Sequence, residues 1–99
     1  MIQKKNHTKD DAVRVTFELP AEIAETSVAV VGDFNDWDPE KTLMTLNKKK
    51  GVWSKTISLK PGRPYEFRYY IDERRWENDE AADGYAPNPY FSENSVLEV

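Results

Sequence analysis

The 99-residue sequence contains no cysteine, which excludes disulfides, iron–sulfur clusters and thiolate zinc sites. Packing alone must hold the core together. His7 is the only histidine and lies in a polar stretch near the N-terminus, so no Ser-His-Asp arrangement is expected. No apolar run approaches the roughly 18 residues of a membrane span, and "MIQKKNHTKDD" lacks the apolar segment of a signal sequence. The expectation is a soluble, cytoplasmic chain with no membrane partner. Basic residues are outnumbered, 14 Lys and Arg against 18 Asp and Glu, for a net charge of −4 and a pI near 5.0. That balance argues against a nucleic-acid partner, because affinity for a phosphate backbone rests on clustered lysine and arginine. The single basic run, Lys48-Lys49-Lys50, precedes Gly51 and reads as a solvated hairpin tip. Length excludes the large catalytic scaffolds, since a (β/α)8 barrel needs about 250 residues and a chain this short buries only about 60–65% of its unfolded surface. Function therefore falls to a surface or a shallow groove.

What the sequence does contain is period-two alternation. In "VRVTFEL", Val13, Val15, Phe17 and Leu19 share one face and Arg14, Thr16 and Glu18 the other, the pattern of a half-buried strand that Pro20 ends. "SVAVVG" reads as a second strand closed by Gly32, and "TLMTLN" as a short third strand or extended segment. In "VWSKTISL", Trp53, Ile57 and Leu59 share a face. "KPGRP" is a turn signal, and "YEFRYYID" follows with Tyr65, Phe67, Tyr69 and Ile71 on one face and Glu66, Arg68, Tyr70 and Asp72 on the other. Residues 77–94 show no periodicity and read as a long loop before a last strand in "SVLEV". Residues 1–11 lack apolar periodicity and read as a flexible tail, leaving 12–99 as one domain. Short strands with turn signals every 8 to 12 residues or so, and no convincing helix, predict an all-β antiparallel sandwich.

The acidic stretch "VVGDFNDWDPE" suggests calcium at first sight, but the spacing is wrong. A calcium loop opening at Asp33 places Trp37 at its fifth position, Asp38 where glycine is required and Met44 where glutamate is required. These aspartates read instead as turn formers that accept backbone N–H groups, and neither a metal nor another cofactor is expected. Paired carboxylates serve glycoside hydrolysis when about 5–10 Å apart, but with 18 acids on so small a surface many pairs meet that spacing by chance. The aromatics say more. Phe17, Trp53, Tyr65, Phe67 and Tyr69 fall on apolar strand faces and read as core. Trp37 and Trp76 instead have polar neighbours on both sides. Three explanations compete for this pair: a ring capping the sandwich edge, a contact with a partner protein, or a platform on which a sugar stacks its C–H face.

The motifs "VVGDFNDWDPE", "YEFRYYID…RW" and "ENSVLEV" together resemble carbohydrate-binding module family 48, the isoamylase early-set or glycogen-binding domain. That family precedes the catalytic domains of glycogen branching and debranching enzymes and occurs in the β subunit of AMP-activated protein kinase; short bacterial proteins consisting of the module alone are similar too. The resemblance covers about residues 12 to 99. It implies an immunoglobulin-like sandwich of six to eight short strands that binds α-1,4-glucan without catalysis. It further implies that Trp37 and Trp76 stack on glucose, that Arg68 bonds sugar hydroxyls where lysine is usual in the kinase subunits, and that Asn94 supplies a polar contact. Tyr90 is the nearest match to a hydrophobic residue that enters the sugar ring in those subunits. Two departures stand out: Glu73 occupies a place where glycine is common, and "DERRW" is one residue longer, which implies a displaced or tilted Trp76. The alternative reading is a protein-interaction or regulatory module of glucan metabolism, with a weakened sugar site and a glucan-metabolising enzyme as partner.

Overall fold

The strand-forming alternation of the central segments closes into two antiparallel sheets. The computed structural model describes residues 2–7, 12–89 and 92–99. The strands are β1 (Ile2–His7), β2 (Ala12–Pro20), β3 (Val28–Gly32), β4 (Thr45–Asn47), β5 (Val52–Leu59), β6 (Pro64–Ile71), β7 (Arg75–Glu77), β8 (Gly84–Pro87) and β9 (Glu93–Glu98). One sheet has the order β1-β2-β5-β4 and the other β3-β6-β9-β8, with β7 added beside β6. The result is an antiparallel β-sandwich of the immunoglobulin-like early-set type.

The inward residues are those that the alternation singled out. Val13, Val15 and Phe17 from β2 meet Tyr65, Phe67, Tyr69 and Ile71 from β6, all buried. Phe17 sits edge-on to Phe67 at 5.2 Å and Phe67 edge-on to Tyr69 at 5.7 Å, the geometry aromatic rings prefer when their positive edges meet negative faces. β3 is buried along its whole length, as a strand needs to be when it is covered on both faces. The segment after it closes one edge. Thr42 O accepts from Val30 N and Met44 N donates to Val28 O, so residues 42–44 run along the free edge of β3 before β4 joins the other sheet. Among the described residues no helix is long and apolar enough to cross a membrane.

Two expectations are corrected. Part of the segment expected to be a tail forms β1, paired with β2 from Ile2↔Phe17 to His7↔Ala12. This is an edge strand built on backbone hydrogen bonds, with Ile2 packed on the core and Lys4 bonded to Asp83 in the bend just before β8, so apolar periodicity could not reveal it. Burial raises the Asp83 pKa, but the Lys4 hydrogen bond, the Glu98 amide and the Lys4 charge outweigh it and leave the group below its ordinary value. The segment expected to be one long loop contains β8, an edge strand of only four residues that pairs Gly84↔Val96 through Pro87↔Glu93. Its glycine and terminal proline mask the strand pattern, although both are tolerated at an edge.

Candidate functional site

The site begins at a fork in the second sheet. β6 carries β3 along one edge. Its other edge is shared: β9 pairs with Pro64 to Phe67 and β7 with Tyr69 to Ile71. Arg68 stands where one partner leaves and the next arrives. Alternation turns it away from the buried Phe67 and Tyr69, onto the outer face. The gap between β7 and β9 is stitched by polar contacts. Asp79 N donates to Ser95 Oγ at 2.9 Å, Ser95 Oγ donates to Asn78 Oδ1 at 2.9 Å, and Asn78 Nδ2 donates to the Glu93 carbonyl at 2.8 Å. Beneath them the Tyr69 hydroxyl donates to Asp79. Burial, then the Asp79 charge and hydrogen bond, push that hydroxyl far above its ordinary pKa.

Trp37 approaches from the β3 side, and its loop is built in layers. Gly32 comes so close to β6 that a Cβ there would lie 2.4 Å from the Glu66 carbonyl, so only glycine fits. Phe34 then turns inward, its ring 6.0 Å from Phe17 and 6.3 Å from Tyr65. Buried Asn35 accepts from Gly32 N and donates to the Val30 carbonyl and to Thr42 Oγ1, closing the loop on itself. Asp36 and Trp37 follow at φ 58° and 57°, the left-handed region that a bulky residue adopts at a cost of about 1–3 kcal/mol. Asp33 holds that conformation. One oxygen accepts from the Trp37 indole N–H at 3.0 Å and the other from Glu66 N at 2.8 Å. Asp38 accepts from Glu40 N at 2.9 Å, the turn-forming role expected for these acids, and among the described residues no cluster of His, Asp or Glu is arranged to hold a metal ion.

Trp76 arrives from the other side. The hairpin from β6 to β7 places Asp72 and Glu73 at φ 54° each. The Asp72 carboxylate accepts from the backbone N–H groups of Glu25, Thr26 and Ser27 and from the Thr26 hydroxyl. Those amides hold its pKa well below the usual carboxylate range. Register then sets Trp76 opposite Tyr70, and the two rings stack at 4.4 Å and 27°. Trp76 is 39% exposed, with one face covered by Tyr70.

Trp37, Trp76, Arg68 and Asn94 line one groove of about 610 Å³, joined by Asp33, Glu66, Asn88 and Pro89. Four of the five residues singled out from sequence are therefore neighbours. Tyr90, the fifth, lies outside the described residues. Asn94 Nδ2 donates to Glu66 Oε1 at 3.1 Å, and Asn88 Nδ2 donates to Asn94 Oδ1 at 3.1 Å. Arg68 differs: its Nε is buried and has no hydrogen-bond partner, an arrangement that costs about 1–3 kcal/mol. Sequence reading missed Asp33 and Glu66 as members of the site. The available signals were an acid four residues before the tryptophan and an acid two residues before Arg68 on the same strand face.

Residues 5–86 match carbohydrate-binding module 48, the isoamylase N-terminal domain. The chain is 42% identical over 59 residues to 1,4-alpha-glucan branching enzyme GlgB 2 of Rhizobium etli, a match that covers 59% of this chain and 8% of that enzyme. It is 38% identical over 63 residues to the GlgB of Marinobacter nauticus, covering 63% of this chain and 10% of the enzyme. Against GlgB 2 of Rhizobium johnstonii it is 49% identical over 41 residues, 40% of this chain and 6% of the enzyme. The matches thus span no more than a tenth of these relatives.

Proposed function

Because the chain belongs to carbohydrate-binding module family 48, we propose that it binds α-1,4-glucan through the groove at the β6 fork, with Trp37 and Trp76 as stacking platforms. The observation that carries this reading is the convergence of two indoles with the Arg68 guanidinium on one groove. Glucose offers C–H faces to the rings and hydroxyls to the edges. Arg68 donates to those hydroxyls and Asn94 exchanges hydrogen bonds with them. The relatives' names, which specify 1,4-alpha-glucan, support this choice of sugar.

The reading is non-catalytic. Of the two carboxylates on the groove, Asp33 is committed to the Trp37 indole and the Glu66 amide, and Glu66 to Asn94. Both hold the walls rather than face each other across a bond to be cleaved, and maltodextrin incubated with the protein is expected to release no reducing ends. Isothermal titration with maltoheptaose tests the binding, with an expected Kd of about 10 μM to 1 mM, or roughly −4 to −7 kcal/mol, as befits a shallow, wet site. No heat of binding at millimolar sugar would contradict the proposal. A glucan-metabolising enzyme seated on the same rings is the competing reading, and it predicts capture of that enzyme undiminished by excess maltodextrin.

A further inference from the structure

A second groove of about 610 Å³ lies on the same sheet face as the first, and Tyr70, Leu43, Pro39, Glu40 and Glu73 are among the residues that line it. The two grooves share a wall. Trp76 lines the first and Tyr70 the second, and these rings are stacked face to face. On β6 the outward positions succeed one another, Arg68 in the first groove and Tyr70 in the second. In the loop after β3, Trp37 and Pro39 do the same.

Leu43 lines the second groove and is 55% exposed. Thr42 and Met44 on either side are buried and bonded to β3, and Leu43 itself bridges to Ala29. The chain thus presents an apolar side chain to water from a fixed backbone. Among the described residues the Glu40 and Glu73 carboxylates have neither a hydrogen-bond nor an ion-pair partner. An apolar wall, an aromatic ring and two vacant acceptors suit a neutral polyhydroxylated chain: C–H faces pack on Leu43 and Tyr70, and hydroxyls donate to the carboxylates.

We infer that the second groove takes the continuation of the α-glucan chain held in the first, which passes over the Trp76–Tyr70 stack. This inference rests on the proposed glucan binding. Its consequence is a preference for long glucans that short ones do not reveal.

The test is titration of the wild type, Leu43→Ser and Trp37→Ala with maltotriose and with a long linear maltodextrin. Leu43 is exposed, so Leu43→Ser is expected to fold, and circular dichroism checks it. The expected result is wild-type affinity of Leu43→Ser for maltotriose and a loss of about three- to tenfold for maltodextrin, the size of one apolar or aromatic contact. Trp37→Ala should weaken both sugars. Equal maltodextrin affinity of wild type and Leu43→Ser would overturn the extension, and so would an equal loss for both sugars; either leaves the first groove standing. Failure of the wild type to bind either sugar would overturn both readings.

Discussion

The two tryptophans of the groove reach it by different means. Both follow or occupy a turn with two consecutive non-glycine residues in the left-handed region, Asp36 and Trp37 in one case, Asp72 and Glu73 in the other. In both an aspartate carboxylate collects nearby N–H groups. The difference is where the strain falls. Trp37 is itself left-handed, and its ring is aimed by the hydrogen bond to Asp33. Trp76 sits in a regular strand, aimed by the β6–β7 ladder and by Tyr70, while the turn before it carries the unfavourable torsions. Trp37 is therefore a side chain held by a polar clamp, and Trp76 one held by secondary structure. Clamps respond to single polar substitutions more than ladders do.

The largest test of this contrast is Gly32→Ala. A methyl group driven toward the Glu66 carbonyl should part the Trp37 loop from β6 and cost about 2–3 kcal/mol, read as a lower urea midpoint. Next comes Asp33→Ala, which frees the indole. Maltoheptaose affinity should fall about tenfold, or about 1.4 kcal/mol, while the unfolding midpoint moves far less than in Gly32→Ala. Asp33→Asn keeps one acceptor and should fall between. Glu73→Gly acts on the other turn and should act in the opposite sense: relief of a left-handed glutamate stabilises by about 0.5–1 kcal/mol and leaves affinity for maltotriose, which stays in the first groove, unchanged, because the ladder and not the turn aims Trp76. A matching loss of maltotriose affinity in Glu73→Gly would erase the distinction.

The smallest effect appears only in acid. The Asp72 pKa is depressed in the folded chain, so its contribution is fully present above the unfolded value of about 3.9. It is lost as pH falls through the lower folded value. Urea midpoints of the wild type should therefore drop below about pH 4, and Asp72→Asn should flatten part of that decline.

Much of the architecture was legible because β2, β5 and β6 bury one face each and so display alternation. β1 and β8 were not, because an edge strand is held by backbone hydrogen bonds that leave no trace in side-chain pattern. Within the site, Trp37 and Trp76 stood out as rings among polar neighbours, and Arg68 and Asn94 followed from the family resemblance. Asp33 was legible only as a turn former, since its second partner, Glu66 N, lies 33 residues away and depends on how β3 meets β6. Tyr70 was read correctly as outward-facing. Its stacking on Trp76 depends on hairpin register, which turn length alone did not fix.

The central claim, that Trp37 and the groove behind it bind α-glucan, is tested most directly by electrophoresis through gels containing glycogen. Wild-type protein should be retarded in proportion to glycogen concentration, and Trp37→Ala, shown by circular dichroism to be folded, should migrate as in a glycogen-free gel. Wild-type mobility unaffected by glycogen, or equal retardation of the two proteins, would contradict it.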